Sequence, residues 1–283
     1  MPADPERPPP ARIDPQEASR IYFLPNLMTA GNLFCGYVAV IRCIQANFAS
    51  QRGDDLLARG RYEEAVWFIL LAVVFDSLDG RLARLGGRES LFGKEFDSIA
   101  DIVSFGMAPA LMVFFLILQP TQQYPFFREV GWLIGFLYLL CAAIRLARFN
   151  VITHPLVAPE GLGTKDFLGL PVPAAAGTIA SMVFVLNDNN LREFALFLPP
   201  LLVLIAALMV SQIRYPSFKG IDWHTRTPVK HFVLLFVILA LFYLAGAYAF
   251  CLLFLGYIFF GLARHFWSGR HRQPEPLGAD SDD

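Results

Sequence analysis

Long apolar runs separated by short polar stretches dominate this chain. Runs of ~16–22 residues, about what a helix needs to cross a bilayer, occupy roughly 25–46, 65–85, 96–118, 130–150, 170–186, 194–213, 231–246 and 247–267. Several are rich in phenylalanine and leucine, as in "HFVLLFVILALFYLAG" at 231–246. Backbone groups in hydrocarbon must bond within their own segment, so each run is expected to be a helix. The pattern predicts an all-α integral membrane protein with about eight transmembrane helices. The last two runs adjoin with almost no linker, so a fused pair there stays open.

Composition agrees. The 283 residues are 55% hydrophobic and 17% charged, with a mean hydropathy of +0.49, whereas a soluble domain is nearer half apolar and a quarter charged. The net charge of −1 says nothing about orientation, but the distribution of lysine and arginine does. With a cytoplasmic N-terminus, about 17 of the 23 basic residues fall in cytoplasmic segments. Among these are Arg7, Arg12, Arg20, Arg81, Arg84, Arg88, Lys94 and Arg272, against Arg52, Arg59, Arg61, Arg128 and Arg192 on the other side. Both termini are therefore expected in the cytoplasm.

The proline-rich residues 1–20 lack an apolar core, which argues against a signal peptide and for a flexible or interfacial arm. Residues 21–267 read as one transmembrane domain and 268–283, ending "GADSDD", as a disordered tail. Cys35, Cys43, Cys141 and Cys251 lie unpaired within apolar runs and read as small hydrophobes. His154, His224, His231, His265 and His271 show no metal-ligand spacing. Nothing points to a nucleic-acid partner.

One stretch breaks the pattern: "DSLDGRLARLGGRESLFGKEFDSIAD", residues 76–101. Asp76 and Asp79 are spaced i, i+3 and Asp97 and Asp101 i, i+4, so each pair shares one helix face. The second and third helices have a short connection and run antiparallel, so the faces can oppose and four carboxylates converge. Repulsion and burial would make four bare anions costly. Divalent cations are the natural compensation, and all-oxygen ligation favours magnesium, manganese or calcium over zinc. Four carboxylates suggest two ions, and a two-metal cluster suits displacement at phosphorus. The plain alternative is pairing with Arg81, Arg84 and Arg88 at the membrane surface. An EF-hand is excluded, because carboxylates at alternate positions and the closing glutamate are missing. Gly80, Ala83 and Gly93 suggest a close approach of backbone or ligand beside these helices.

The pattern D-x2-D-G-x2-A-R-x8-G-x3-D-x3-D is met in full by Asp76, Asp79, Gly80, Ala83, Arg84, Gly93, Asp97 and Asp101. It resembles the signature of the CDP-alcohol phosphatidyltransferases. The resemblance implies a six-helix core, followed here by two C-terminal helices, around a polar cavity open to the cytoplasm. It implies two divalent cations, Mn2+ or Mg2+, on Asp76, Asp79, Asp97 and Asp101, with Asp101 as general base beside Asp97. It also implies a CDP-linked lipid as donor, a homodimer, and a bacterial inner membrane with the active site facing the cytoplasm.

"DIVSFGMAPA", "AAIRLARFNV", "FLGLPVPAAAG" and "LPNLMTAGNLFCGYVAV" resemble the membrane-embedded branch of that family that uses serine. The likeness covers about Leu24 to Gly177 well and the last three helices loosely. CDP-diacylglycerol and L-serine are the substrates it implies, yielding a phospholipid and CMP. Choline, glycerol phosphate or an inositol phosphate as acceptor are rivals within the family. A divalent-cation transporter is the rival outside it, although it predicts acidic residues on several helices.

Arg145 and Arg148 lie i, i+3 near the end of the fourth helix, with Asn150 beyond. A cavity-facing guanidinium can clamp a carboxylate or a phosphate, and snorkelling anchors are the alternative. With Lys94 these residues are the candidates for serine or phosphate recognition. Pro25, Asn26, Thr29 and Asn32, on the first turns of helix 1, are candidates for the CDP moiety with Gly80, Ala83, Arg84 and Gly93. Capping and helix packing are the competing account. No cysteine, serine or histidine is posed as a nucleophile, so direct displacement is expected.

Overall fold

The structure, a computed structural model, describes residues 23–85, 91–118, 127–152, 166–188, 192–216 and 247–270. Helix α1 (Phe23–Gln51) packs along α2 (Asp55–Leu85). The turn between them follows local chemistry. Gly53 takes a φ of 79°, a left-handed conformation that glycine adopts without penalty. Asp54 then caps α2, its Oδ1 accepting from the Leu57 amide at 3.0 Å.

Helix α2 starts at Asp55, nearly three turns of mostly polar sequence earlier than the apolar run at 65–85 predicts. Buried Ala58 and Tyr62 give those turns a packed face. Their charges are met laterally, with Glu64 bound by Arg61 at 3.0 Å and by Arg42 of α1 at 2.8 Å. An apolar pattern marks where hydrocarbon begins; the helix continues past it as long as its polar face finds partners.

Small side chains form the α1–α2 seam. Cys35, Ala39, Cys43 and Ala46 of α1 and Ala65 and Ala72 of α2 are buried. Residues of this size let helix backbones approach where lipid offers no hydrophobic drive. The four cysteines are all free, in line with their reading as small hydrophobes.

Helix α3 (Leu91–Leu118) contains two π-helical stretches, Ile102–Met107 and Phe114–Leu118. It packs on α1 and on α4 (Phe127–Ile152). Helix α5 (Val172–Asp188) lies against α2. A 3-10 turn (Arg192–Phe197) leads into α6 (Leu198–Val210), which packs on α4. Helix α7 (Ala247–Arg270) closes against α5. Trp67 of α2 meets both Phe184 of α5 and Phe250 of α7 edge-on, each with centroids 5.6 Å apart. A short antiparallel strand pair, β1 (Asp166–Leu168) with β2 (Arg214–Pro216), is the one addition to an otherwise helical fold among the described residues.

This is an all-α integral membrane protein. Among the described residues, α1, α3, α4 and the Tyr248–His265 part of α7 are long and apolar enough to cross a bilayer, while Val172–Asn187 and Phe194–Val210 are shorter apolar helices. Large apolar side chains such as Phe34, Trp67, Phe136 and Phe259 face outward, as lipid contact requires. The apolar run at 231–246, the arm at 1–20 and the tail from 271 lie outside the described residues.

The approach of α1 to α3 has a sharp steric limit. A Cβ on Gly36 would stand 2.3 Å from Ser104 Oγ and 2.6 Å from its Cα, so the helices would have to separate. Gly36→Ala is expected to cost about 1–3 kcal/mol, the usual range for overpacking. Gly60→Ala on α2, where a Cβ meets nothing within 4 Å, is expected to gain up to about 1 kcal/mol in helix propensity. Thermal unfolding of the two variants in one detergent checks both signs.

Candidate active site

The C-terminal turns of α2 carry Asp76 and Asp79, and the N-terminal turns of α3 carry Asp97 and Asp101. Three of these carboxylates converge. One oxygen each from Asp76, Asp97 and Asp101 lies within 4.8 Å of the others. Asp97 and Asp101 reach this point because i, i+4 spacing stacks them on one face of α3. Asp101 is only 5% exposed and is the last α-helical residue before the π-helical stretch at 102. Two charges at such a distance repel by roughly 3 kcal/mol at an effective dielectric near 20.

Asp79 is also buried, but it lies outside that group. Its Oδ2 accepts a short hydrogen bond from Thr29 Oγ1 of α1, and the same hydroxyl approaches the Pro25 carbonyl at 3.3 Å. Asn32, one turn on, donates from Nδ2 to Asp101 Oδ1 at 2.9 Å. Helix α1 thus presents two polar side chains to two carboxylates, one at the end of α2 and one on α3. Thr29 and Asn32 share a face with Pro25 and Asn26, as their spacing predicts, yet both are engaged with aspartates. Asn26 has a buried Nδ2 with no hydrogen-bond partner among the described residues.

Arg145 enters from α4, at only 8% exposure. Its guanidinium lies in the field of Asp101 and Asp76 and of the Tyr257 hydroxyl, and it sits 5.8 Å from the centre of the Phe149 ring. Arg148 is partly exposed, so Arg145 is the member of the pair buried beside the carboxylates. Lys94 and Asn150 form a clasp between α3 and α4. Lys94 Nζ donates to the Asn150 carbonyl at 3.4 Å, and Asn150 Nδ2 donates to Ser98 Oγ at 2.9 Å.

Gly80 is exposed, and a Cβ there would meet no atom within 4 Å. Among the described residues, then, no backbone approaches this glycine closely. Gly93 is partly buried on the first turn of α3. Ala83 and Arg84 lie on the last turn of α2, and their side chains fall outside what is described. Of the histidines, His265 alone is in the described part, its Nδ1 facing the Arg214 amide at 3.5 Å.

Several contacts here carry no clear mark in the sequence. Ser104 donates to the Asn32 main-chain carbonyl at 2.8 Å, and Ser98 receives Asn150. Tyr257 of α7 donates to the Pro216 carbonyl at 3.2 Å and packs on Tyr215, with ring centroids 5.8 Å apart. The serines follow the aspartates by one and three residues, a weak hint. Tyr257 lies inside an apolar run, and its reach to Arg145 depends wholly on how α7 docks.

Charge and donor chemistry together suit a hard divalent cation. The three converging ligands are all carboxylate oxygens, a set that fits Mg2+, Mn2+ or Ca2+. A buried cationic guanidinium beside them suits a second anionic group.

Comparison with known proteins bears on this site. The sequence model of the family described as CDP-alcohol phosphatidyltransferase matches residues 22–211. A CDP-diacylglycerol–serine O-phosphatidyltransferase of Helicobacter pylori is 34% identical over 250 residues, which is 86% of this chain and 91% of the relative. An archaetidylserine synthase of Methanothermobacter thermautotrophicus is 36% identical over 204 residues, 71% of this chain and 73% of the relative. A CDP-diacylglycerol–serine O-phosphatidyltransferase of Bacillus subtilis is 30% identical over 202 residues, 70% of this chain and 92% of the relative.

The three-carboxylate geometry predicts that Asp76→Asn and Asp97→Asn each weaken Mn2+ binding by at least about tenfold, since each removes one negative charge from the ligand set. Asp54→Asn, at the distant turn, is expected to leave Mn2+ affinity unchanged. Titration of Mn2+ followed by electron paramagnetic resonance reads the free ion directly.

Proposed function

Because the chain belongs to the CDP-alcohol phosphatidyltransferase family, we propose that it transfers a phosphatidyl group from CDP-diacylglycerol to L-serine, giving phosphatidylserine and CMP. The observation that carries this reading is the convergence of Asp76, Asp97 and Asp101 with buried Arg145 in their field. Relatives named for serine as acceptor, from bacteria and archaea, support that choice of alcohol.

Two divalent cations, Mn2+ or Mg2+, held by Asp76, Asp79, Asp97 and Asp101, would neutralise the pyrophosphate and the charge left on departing CMP. Thr29 holds the Asp79 carboxylate, and Asn32 holds that of Asp101. Asp101 takes the proton from the serine hydroxyl as that oxygen attacks the lipid-bearing phosphorus. The new bond joins the serine oxygen to phosphorus. The bond that breaks joins phosphorus to the bridging oxygen, which leaves with CMP. Displacement is direct, with no protein nucleophile. Arg145 receives the serine carboxylate as a bidentate partner, and Arg148 lies at the mouth of that subsite. Lys94 and Asn150 keep α3 and α4 together behind it. Pro25 and Asn26 of α1 line the nucleotide with Gly80, Ala83, Arg84 and Gly93, where open space beside Gly80 accommodates a flat base.

In this reading α1 to α6 form the six-helix core, and the run at 231–246 joins α7 to make eight spans. Residues 21–267 act as one catalytic domain, in a homodimer. The lysine and arginine distribution supports cytoplasmic termini and a cytoplasmic site, in a bacterial inner membrane. A transporter would need acidic groups along a path, whereas the clustered carboxylates belong to the adjoining ends of α2 and α3.

Purified protein given CDP-diacylglycerol, Mn2+ and a panel of serine, glycerol phosphate, inositol phosphate and choline is expected to yield phosphatidylserine alone. The product is read by lipid mass analysis, and a chelator should abolish it. Another product would assign another acceptor, and none with any alcohol would overturn the reading.

Two variants separate roles within the site. Arg145→Lys keeps the charge but loses the fork, so it should raise the KM for serine more than that for CDP-diacylglycerol, with Arg148→Lys the milder of the two. Asp101→Asn keeps a coordinating oxygen but cannot take the proton, and should slow single-turnover transfer by ~10²–10⁴-fold. CDP-diacylglycerol affinity, measured by calorimetry, should fall far less than that rate.

A further inference from the structure

Asn32 is held more firmly than nucleotide contact alone would require. It is fully buried, its Nδ2 donates to Asp101 Oδ1 at 2.9 Å, and its main-chain carbonyl accepts from Ser104 Oγ at 2.8 Å. Gly36, one turn further along α1, permits that contact, because any Cβ there would collide with Ser104. Helix α1 is therefore tied to α3 through the residue that contacts the proposed base.

These ties orient the amide. Turning it over would set two oxygens against each other at the Asp101 carboxylate, so the nitrogen faces Asp101 and the oxygen faces away. That oxygen, Oδ1, is buried and has no hydrogen-bond partner among the described residues. Buried polar atoms are rarely left so, and here the missing donor has an obvious source in the ligand.

We propose that Asn32 Oδ1 accepts a hydrogen bond from the amino group of the acceptor, making Asn32 the residue that selects a 2-amino alcohol. The inference rests on the serine reading and deepens it. In serine the hydroxyl and the ammonium stand on neighbouring carbons. Asp101 and Asn32 are neighbouring acceptors joined by one hydrogen bond, so they can take those two groups together. Arg145, in the field of Asp101, is the third corner, for the carboxylate. The three groups of serine then meet a base, an amide oxygen and a guanidinium. Cytosine also carries an amino group, and the affinity for CDP-diacylglycerol tells the two ligands apart. The buried Asn26 Nδ2, a donor, suits a carbonyl rather than an amine.

The test uses the full chain in nanodiscs, with L-serine and 3-hydroxypropanoate, which lacks only the amine, as competing acceptors. Wild-type protein should prefer serine strongly. Asn32→Leu, similar in volume but without either polar atom, should cut that preference by at least about tenfold. It should also raise the KM for serine, while the Kd for CDP-diacylglycerol and the affinity for Mn2+ stay within about twofold of wild type. Asn32→Ala, smaller, helix-favouring and likewise without either polar atom, provides the same comparison if the leucine variant does not fold.

An unchanged preference in the folded variant would overturn the inference alone. So would an equal loss of CDP-diacylglycerol affinity, which would make Asn32 a reader of cytosine, or of Mn2+ affinity, which would make its oxygen a metal ligand. Wild-type protein that does not use serine at all would remove the serine reading and this inference with it.

Discussion

Like charges gathered in a buried place set the terms for everything around them. Asp76, Asp97 and Asp101 bring their oxygens within 4.8 Å of one another, at the adjoining ends of two membrane helices. Left alone they would push α2 and α3 apart or take up protons. The protein answers with fixed donors. Asn32 reaches Asp101, Thr29 reaches Asp79, and Arg145 lends positive charge from α4. Each comes from a different element than the carboxylate it serves, so the cluster and the bundle hold each other in place.

Helix α1 is central to that arrangement although it contributes no acid. Its buried seam of Cys35, Ala39, Cys43 and Ala46 brings it against α2. Gly36 brings it against α3, close enough for Ser104 to bond its backbone. Small residues matter here because dispersion and hydrogen bonds, both short-ranged, are what hold helices together in lipid. A widened α1–α3 gap would loosen Asn32 and Asp101 together. The π-helical stretch that starts right after Asp101 contributes to the same fit, since its wider turn changes which residues face α1 and α4.

The opposite end of the bundle is stitched differently. Arg42, Arg61 and Glu64 link α1 to α2, and Asn187 of α5 donates to Glu63 at 2.9 Å. These bonds lie at the other end of α2 from Asp76 and Asp79 and tie it to α1 and α5. The strand pair and α7 act nearer the site. Tyr257 bonds to the end of β2, packs on Tyr215 and extends its influence to Arg145. The region beyond residue 211, where the family match ends, thus adds a tyrosine to the electrostatic surroundings of the arginine proposed to read the acceptor.

Hydrophobic periodicity and the aspartate spacing by themselves determined the helical membrane fold and the two acidic helix ends, and the full motif from Asp76 to Asp101 carried the resemblance to the family. All of these are local: an apolar run needs a helix wherever it meets lipid, and i, i+3 and i, i+4 spacings define a face before any packing occurs. The length of α2 was under-read for the same reason. The polar turns from Asp55 to Glu64 are packed through Ala58 and Tyr62 and met by Arg42 and Asn187 from other helices. Which carboxylates converge was likewise beyond the sequence. Asp76 and Asp79 look equivalent along the chain, but Thr29 takes Asp79 and the α2–α3 geometry gives Asp76 to the cluster. Arg145 and Arg148 are equally matched by motif, and docking of α4 buries one and leaves the other partly exposed. Such choices are made by contacts between residues far apart in sequence, such as Asn32 with Asp101, and only the tertiary structure brings those together.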